Sequence, residues 1–485
     1  MNETSADLAR APAWLTRFLQ ACLALLLIRQ VWWLLFGPFN VDEFENVQII
    51  WLWRHGVWPV RDYLHPHLIV YNLLLAPLFT LFGAQARLLG AVRLFLFPLV
   101  LLTVWQAWWI GRRVGGEAAG WLAAILFLAP PLVGYSLSEM RPDALAMPLA
   151  LGAVMCFLVY ADRGAPRRWL LGAGLLLGLN FLFTQKTIYL ALVLLWMFER
   201  YHFRVQGWPL GRRLRALGSL CLLAFGPVAL AFAAYFAAGF LSWEQLLVLS
   251  GNALQGIPAA LNWSFKFRIL GQYALTAGLV LFFGLWGLGR LVVRRDAWRA
   301  MRQPGALLVG LFLLVSGAQT LTMSLLFHHL LVLPHLFVSV LAARVLRQRA
   351  ALLAAAVVLL QIVVPQAIDR ALLTPRGEQM AAFRFVQERV PSNAPVLDSY
   401  RGYGAFRPIV GRLIYFRPPH VGGELMWEKS KQVVRLVAAE RFGAVIKDAS
   451  FDFYPESLRR LILQHYAPSP RFADVWLPKG KPAGP

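Results

Sequence analysis

Two short acidic clusters interrupt the apolar first third of this 485-residue chain. FNVDEFENVQ puts Asp42, Glu43 and Glu45 directly after one hydrophobic run, and YSLSEMRPDALAM puts Glu139, Arg141 and Asp143 at the mouth of another. Carboxylates and guanidinium groups are costly at the edge of a bilayer and mark functional sites there. Between and beyond the clusters, RDYLHPHL supplies Arg61, Asp62, His65 and His67, and TQKT supplies Lys186. Fixed cations in a poorly hydrated site stabilise charge that develops on a phosphate. A carboxylate within hydrogen-bond reach takes the proton of an attacking hydroxyl. The combination points to an anionic substrate and a proton to be removed.

Those residues can meet only if the hydrophobic segments deliver them to one face. The chain is 59% hydrophobic and only 15% charged, against about 25% charged residues in a soluble domain, so a water-soluble fold is excluded. A bilayer core about 30 Å thick takes roughly 20 apolar helical residues to cross. That ruler gives about eleven spans, near 17–36, 89–110, 118–134, 144–161, 169–184, 187–200, 214–240, 267–290, 305–326, 329–345 and 350–367. The first of these is too long for a signal-peptide core and is expected to remain as an uncleaved span. Short loops rich in Lys and Arg stay cytoplasmic. Arg112-Arg113, Arg163 with Arg167-Arg168, Arg200 to Arg215, Arg290 to Arg302 and Arg344 to Arg349 occupy alternate loops, which puts the N-terminus inside and the C-terminus outside. The assignment requires the Pro77-containing segment Leu68 to Gly83 to be an interfacial, half-inserted helix of the first outer loop. Both acidic clusters then share the outer face.

The net charge of +23 fits cytoplasmic loops against anionic lipid better than nucleic acid, which is not an expected partner. Cys22, Cys156 and Cys221 lie in apolar runs without metal-site or disulfide spacing. From about residue 371 the composition turns to an ordinary soluble mixture. The chain is therefore divided into a membrane domain, 1–370, and a small extracytoplasmic α/β domain, 371–485. In the latter, Gly377 to Val390, Trp427 to Arg441 and Glu456 to His465 read as helices, and Pro395 to Ser399, Phe442 to Lys447 and Phe472 to Leu477 as strands.

NVDEFEN after the first span, HPHLIVYNLLLAPLFTLFG, a GRR turn, the RPD loop and FTQKT together resemble the type C glycosyltransferases of the protein O-mannosyltransferase and lipid A aminoarabinose transferase group, over roughly residues 15 to 345. The resemblance implies a polyprenyl-phosphate sugar donor and an acceptor that is a glycolipid, a glycan or a protein. It implies Asp42 as the essential carboxylate, assisted by Asp143 and with Glu43 beside it. Arg141 and Lys186 match positions that hold the lipid-linked phosphate. Arg61, His65, His67 and Glu139 join them around the substrate, and His328-His329 resemble the start of a late span near the donor. Inversion at the anomeric carbon by direct attack is implied too. Richness in Ala, Leu, Arg and Gly points separately to a bacterial origin and hence the inner membrane, with the site facing outward. Where many members have an acid-lysine pair before the half-inserted helix, this chain has His65-Pro66-His67, which would make phosphate contact pH-dependent.

Blander roles remain open for the same residues. Arg141 also suits an ion pair with Asp143 or Glu139, and Lys186 could snorkel to the interface. His65 and His67 could hold a divalent metal with Asp42 or Glu43, although an H-x-H pair in an interfacial loop is more often not a ligand site. Trp51, Trp53 and Trp58 suit an interfacial belt. A transporter or flippase for a lipid-linked sugar is the main alternative. Transporters usually carry repeats and mid-membrane charges, whereas here the spans are nearly free of charge and the polar clusters lie on one side.

Overall fold

Proline, glycine and small residues set the breaks in a largely helical chain. The computed structural model describes residues 11–58, 70–163, 166–184, 188–201, 207–239, 263–293, 331–360, 376–398, 401–408, 433–448 and 451–479, together with Asp62 and a few positions between 309 and 317. The helices are α1 (Ala13–Phe36), α2 (Val41–Arg54), α3 (Val70–Phe82), α4 (Ala86–Gly115), α5 (Glu117–Leu128), α6 (Pro131–Ser138), α7 (Pro142–Arg163), α8 (Arg167–Phe181), α9 (Ile188–Arg200), α10 (Leu210–Ala237), α11 (Trp263–Val293), α12 (Val332–Leu346), α13 (Arg376–Arg389) and α14 (Glu456–His465). A further helical stretch covers 350–360.

By length and composition, four of the described helices can cross a membrane: α1, α4, α7 over Pro142–Ala161, and α10. The number rises to six if each of two bent pairs counts as one span. The expected spans that fall on described residues are helical over most of their length, but the one at 118–134 is broken in two, and α8, α9 and α12 are only 13–15 residues long. The span expected at 305–326 lies mostly outside the described residues. The segment expected to be half-inserted is α3, 13 residues, or about 20 Å at 1.5 Å per residue, which is shorter than the hydrocarbon core.

One of the bent pairs is α5 and α6, which meet at 79° where Pro130 and Pro131 end the first helix. The carbonyls freed at the bend are taken up by side chains. Arg29 donates to Leu128 O and Ala129 O, both at 2.8 Å, and His335 Nε2 lies 3.0 Å from Leu126 O. That bond makes Nε2 the protonated nitrogen and leaves Nδ1 to accept from the Tyr273 hydroxyl at 2.7 Å. Leu122 to Leu128 are all 0% exposed, as expected of a helix apolar on every side. Packing of α5 on α4 depends on small residues: a Cβ on Gly111 would come 2.6 Å from that of Ala123.

A second apolar core joins α2, α3 and the N-terminal half of α4 to α13 and the loop around Phe406. Beyond it, strands β1 (Val396–Leu397), β2 (Ala444–Ile446), β3 (Tyr466–Pro468) and β4 (Val475–Pro478) form one sheet in the order β1-β2-β4-β3, with only the β1–β2 pair parallel. Leu397, Val445 and Trp476 pack there on Leu458 and Ile462 of α14. The expected helices at 377–390 and 456–465 and all three expected strands have described counterparts. Of the helix expected at 427–441, residues 433–438 are described and helical. Strand β3 was not foreseen.

Candidate active site

Helix α2 starts at a capping box. Asn40 Oδ1 accepts from Asp42 N at 3.1 Å, and Glu43 Oε2 accepts from Asn40 N at 2.8 Å. A capping box fixes the first turn of a helix, here the turn that carries Asp42 and Glu43. Neighbours in sequence are about 100° apart around a helix, and the two carboxylates meet different surroundings.

Glu43 is 0% exposed. Arg93, equally buried two turns into α4, donates through Nε to Oε1 at 2.8 Å and through Nη2 to Oε2 at 2.6 Å. Met140 N also donates to Oε1, at 3.1 Å. The guanidinium also donates to Gly37 O at 2.8 Å and Pro38 O at 2.6 Å, and its carbon lies 4.2 Å from the centre of the Phe39 ring. This pair ties the start of α2 to α4 and to the loop after α6.

Asp42 is different: its side chain is 27% exposed and forms an ion pair with Arg141. Arg141 also lies 3.6 Å from Glu139 Oε2, and its Nε lies 3.8 Å from Asp143 Oδ2. Two separated acidic clusters therefore converge on one guanidinium at the junction of α2 and α7. Glu139 receives a hydrogen bond from Asn40 Nδ2 at 3.0 Å. Burial pushes its carboxyl up to about 8, Glu43 and Asp42 add to the rise, and Arg141 opposes it. Burial works against the charge on Arg141, but Asp42, Glu139 and Asp143 outweigh it and raise its pKa.

Asparagine side chains brace the arrangement. Asn46 Nδ2 donates to Met140 O at 2.9 Å and to Asp42 O at 2.7 Å, and Asn72 of α3 donates to Asn46 Oδ1 at 3.1 Å. The Tyr71 hydroxyl, fully buried on α3, has no hydrogen-bond partner among the described residues.

Of the residues singled out in the sequence, Asp42, Glu43, Glu139, Arg141 and Asp143 are brought together. Arg61, His65, His67, Lys186, His328 and His329 lie outside the described residues. Among the described residues no group of three or more His, Cys, Asp or Glu side chains could hold a metal ion. The sequence reading missed Arg93 and Asn40, though both carry a signal. Arg93 is an arginine inside an apolar run, and Asn40 stands three residues before a glutamate.

Residues 65–230, about a third of the chain, match the family described as dolichyl-phosphate-mannose-protein mannosyltransferase. Solved structures match nearly the whole chain, among them two with bound lipid carriers. One is the archaeal oligosaccharyltransferase AglB from Archaeoglobus fulgidus in complex with an inhibitory peptide and a dolichol-phosphate, with TM-score 0.60 and 13% identity over 97% of this chain and 74% of that one. The other is ArnT from Cupriavidus metallidurans bound to undecaprenyl phosphate, with TM-score 0.59 and 13% identity over 98% of this chain and 100% of that one. The chain has the type C glycosyltransferase fold. The family match begins after α2 and so does not reach Asp42. No curated protein sequence matches this type C chain.

Proposed function

We propose that this type C protein transfers a sugar from a polyprenyl-phosphate donor to an acceptor hydroxyl or amine, with inversion, at the outer face of a bacterial inner membrane. The observation that carries the reading is the partly exposed Asp42–Arg141 ion pair, set among wholly buried supporting groups. The carriers in the AglB and ArnT structures, a dolichol-phosphate and an undecaprenyl phosphate, support a polyprenyl-phosphate donor. The alternation of basic loops supports about eleven spans with the site facing outward.

In this reading the donor phosphate takes over Arg141, with Lys186, Arg61, His65, His67, His328 and His329 as further contacts. Asp42, released from its ion pair, accepts the proton of the attacking acceptor atom. A bond forms from that atom to the anomeric carbon. The carbon–oxygen bond to the phosphate breaks, and its electron pair leaves with the polyprenyl phosphate. Asp143 keeps Arg141 aligned, Glu139 stays protonated near neutral pH, and Glu43 positions the first turn of α2 without touching substrate.

The test is sugar transfer from a panel of polyprenyl-phosphate sugars by the full chain in nanodiscs, wild type against Asp42→Asn. A folded variant is expected to lose transfer by about 10²–10⁴-fold, the usual contribution of a general base. A stable wild type that consumes no donor, yet moves lipid-linked sugar across vesicles, overturns the reading in favour of a flippase.

A further inference from the structure

The C-terminal segment grips the chain on either side of Asp42, and each grip uses the side-chain amide of a glutamine. At the first, Phe39 N donates to Gln379 Oε1 at 2.8 Å while Gln379 Nε2 donates to Phe39 O at 2.7 Å. At the second, Phe406 N donates to Gln48 Oε1 at 2.5 Å while Gln48 Nε2 donates to Arg407 O at 2.6 Å. At the first, the side-chain amide exchanges both bonds with one residue, as a neighbouring β-strand would; at the second, the donor and acceptor belong to adjacent residues of a turn in which Phe406 has φ +62°. The glutamines are 6% and 2% exposed, so water does not compete for these bonds.

Both grips trace back to α13. Gln379 lies on that helix, and Arg407 donates to Gln387 O at 2.8 Å and Val390 O at 3.0 Å at its C-terminal end. The loop between is shaped by Asp398, which accepts from Arg401 N and Gly404 N, each at 3.0 Å. Its closest approach is Gly402, at φ +79°, where a Cβ would fall 2.4 Å from the Phe44 ring. At the other end, Arg376 lies 4.4 Å from the Phe39 ring centre and Arg93 lies 4.2 Å from it. Asp42 sits between the two grips, three residues after Phe39 and six before Gln48.

We propose that Gln379 and Gln48 are positioning residues for Asp42, through which the C-terminal segment sets where that carboxylate stands relative to Arg141. The inference rests on the reading of Asp42 as the base. A misplacement of about 1 Å far from the reacting atoms is enough to cost on the order of 10²-fold in rate, and two reciprocal amide pairs hold the segment against such a shift.

The experiment uses the full chain in nanodiscs with Gln379→Leu, Gln48→Leu and, as a control within the C-terminal sheet, Tyr466→Phe. Hydrogen exchange at amides 39–46 is expected to speed up at least tenfold in either glutamine variant, with α5 unchanged. Transfer should show kcat reduced tenfold or more and donor KM within twofold, while Tyr466→Phe changes neither. In the Asp42→Asn background the glutamine substitutions should cost nothing further, because residues that act through one another are not additive. Should a leucine variant fail to reconstitute, Gln379→Glu keeps the acceptor and loses the donor, and an intermediate loss is expected. Unchanged exchange at 39–46, a loss confined to KM, or an additive loss in the Asp42→Asn background overturns the proposal. A wild type without transfer activity defeats the functional reading instead, and the exchange result still decides whether the glutamines hold the helix.

Discussion

Arg93 and Glu43 form a two-bonded ion pair in which neither side chain reaches solvent. Removing one partner of a buried pair typically costs about 3–5 kcal/mol, because the other charge is left uncompensated. Arg93→Met should be the worse of the two single changes, since it also strands Gly37 O and Pro38 O, and Glu43→Gln the milder. The double variant should cost clearly less than their sum. Unfolding midpoints of the purified variants, compared as a cycle, check this; equal single effects that add would mean the pair carries no coupling.

Glu139 should make stability fall as pH rises. Its carboxyl is pushed from 4.5 up to about 8 by burial, so the folded state holds the proton more tightly than the unfolded state does. That contribution is complete below about pH 4.5 and lost progressively up to about pH 8. Glu139→Gln is neutral throughout and should gain on the wild type between pH 5 and 8, with no further gain above. Thermal unfolding across that range decides it. A wild type that instead gains on the variant would mean an ionised Glu139 paired with Arg141.

Arg141→Lys keeps the charge but loses the planar fork that faces Asp42, Glu139 and Asp143. Transfer measured as kcat/KM should fall by about 10- to 100-fold, in line with one charged hydrogen bond of about 1.5–3 kcal/mol. Full activity in the lysine variant would remove Arg141 from the phosphate site.

Tyr71→Phe deletes a buried hydroxyl that has no hydrogen-bond partner among the described residues. A buried unsatisfied polar group costs roughly 1–3 kcal/mol, so the variant should unfold at an equal or higher temperature. A lowered midpoint would show that the hydroxyl is bonded in the folded protein.

The meeting of Asp42 with Glu139, Arg141 and Asp143 was legible in the sequence, because loop order and the positive-inside rule put both acidic clusters on one face. The separate fates of Asp42 and Glu43 were not. Adjacent letters point about 100° apart on a helix, and only the partner, an arginine fifty positions later, reveals which carboxylate is enclosed. Strand β3 escaped because it follows α14 without a turn signal and runs three residues into a proline. Gln379 and Gln48 were invisible for a different reason: an amide that pairs with backbone leaves no pattern of charge or hydropathy.

The grip of Gln379 and Gln48 also dictates an order of assembly. Phe39 and Gln48 leave the ribosome more than three hundred residues before Gln379 and Phe406. Until residues 379–407 emerge, the Phe39 amide and carbonyl and the Gln48 side chain lack the partners they have in the finished protein. The Phe44 ring likewise waits for the one residue without a side chain that can lie against it. The nascent bundle can thus enter the membrane early, while the turn bearing Asp42 acquires its final support only once residues 376–408 have been made.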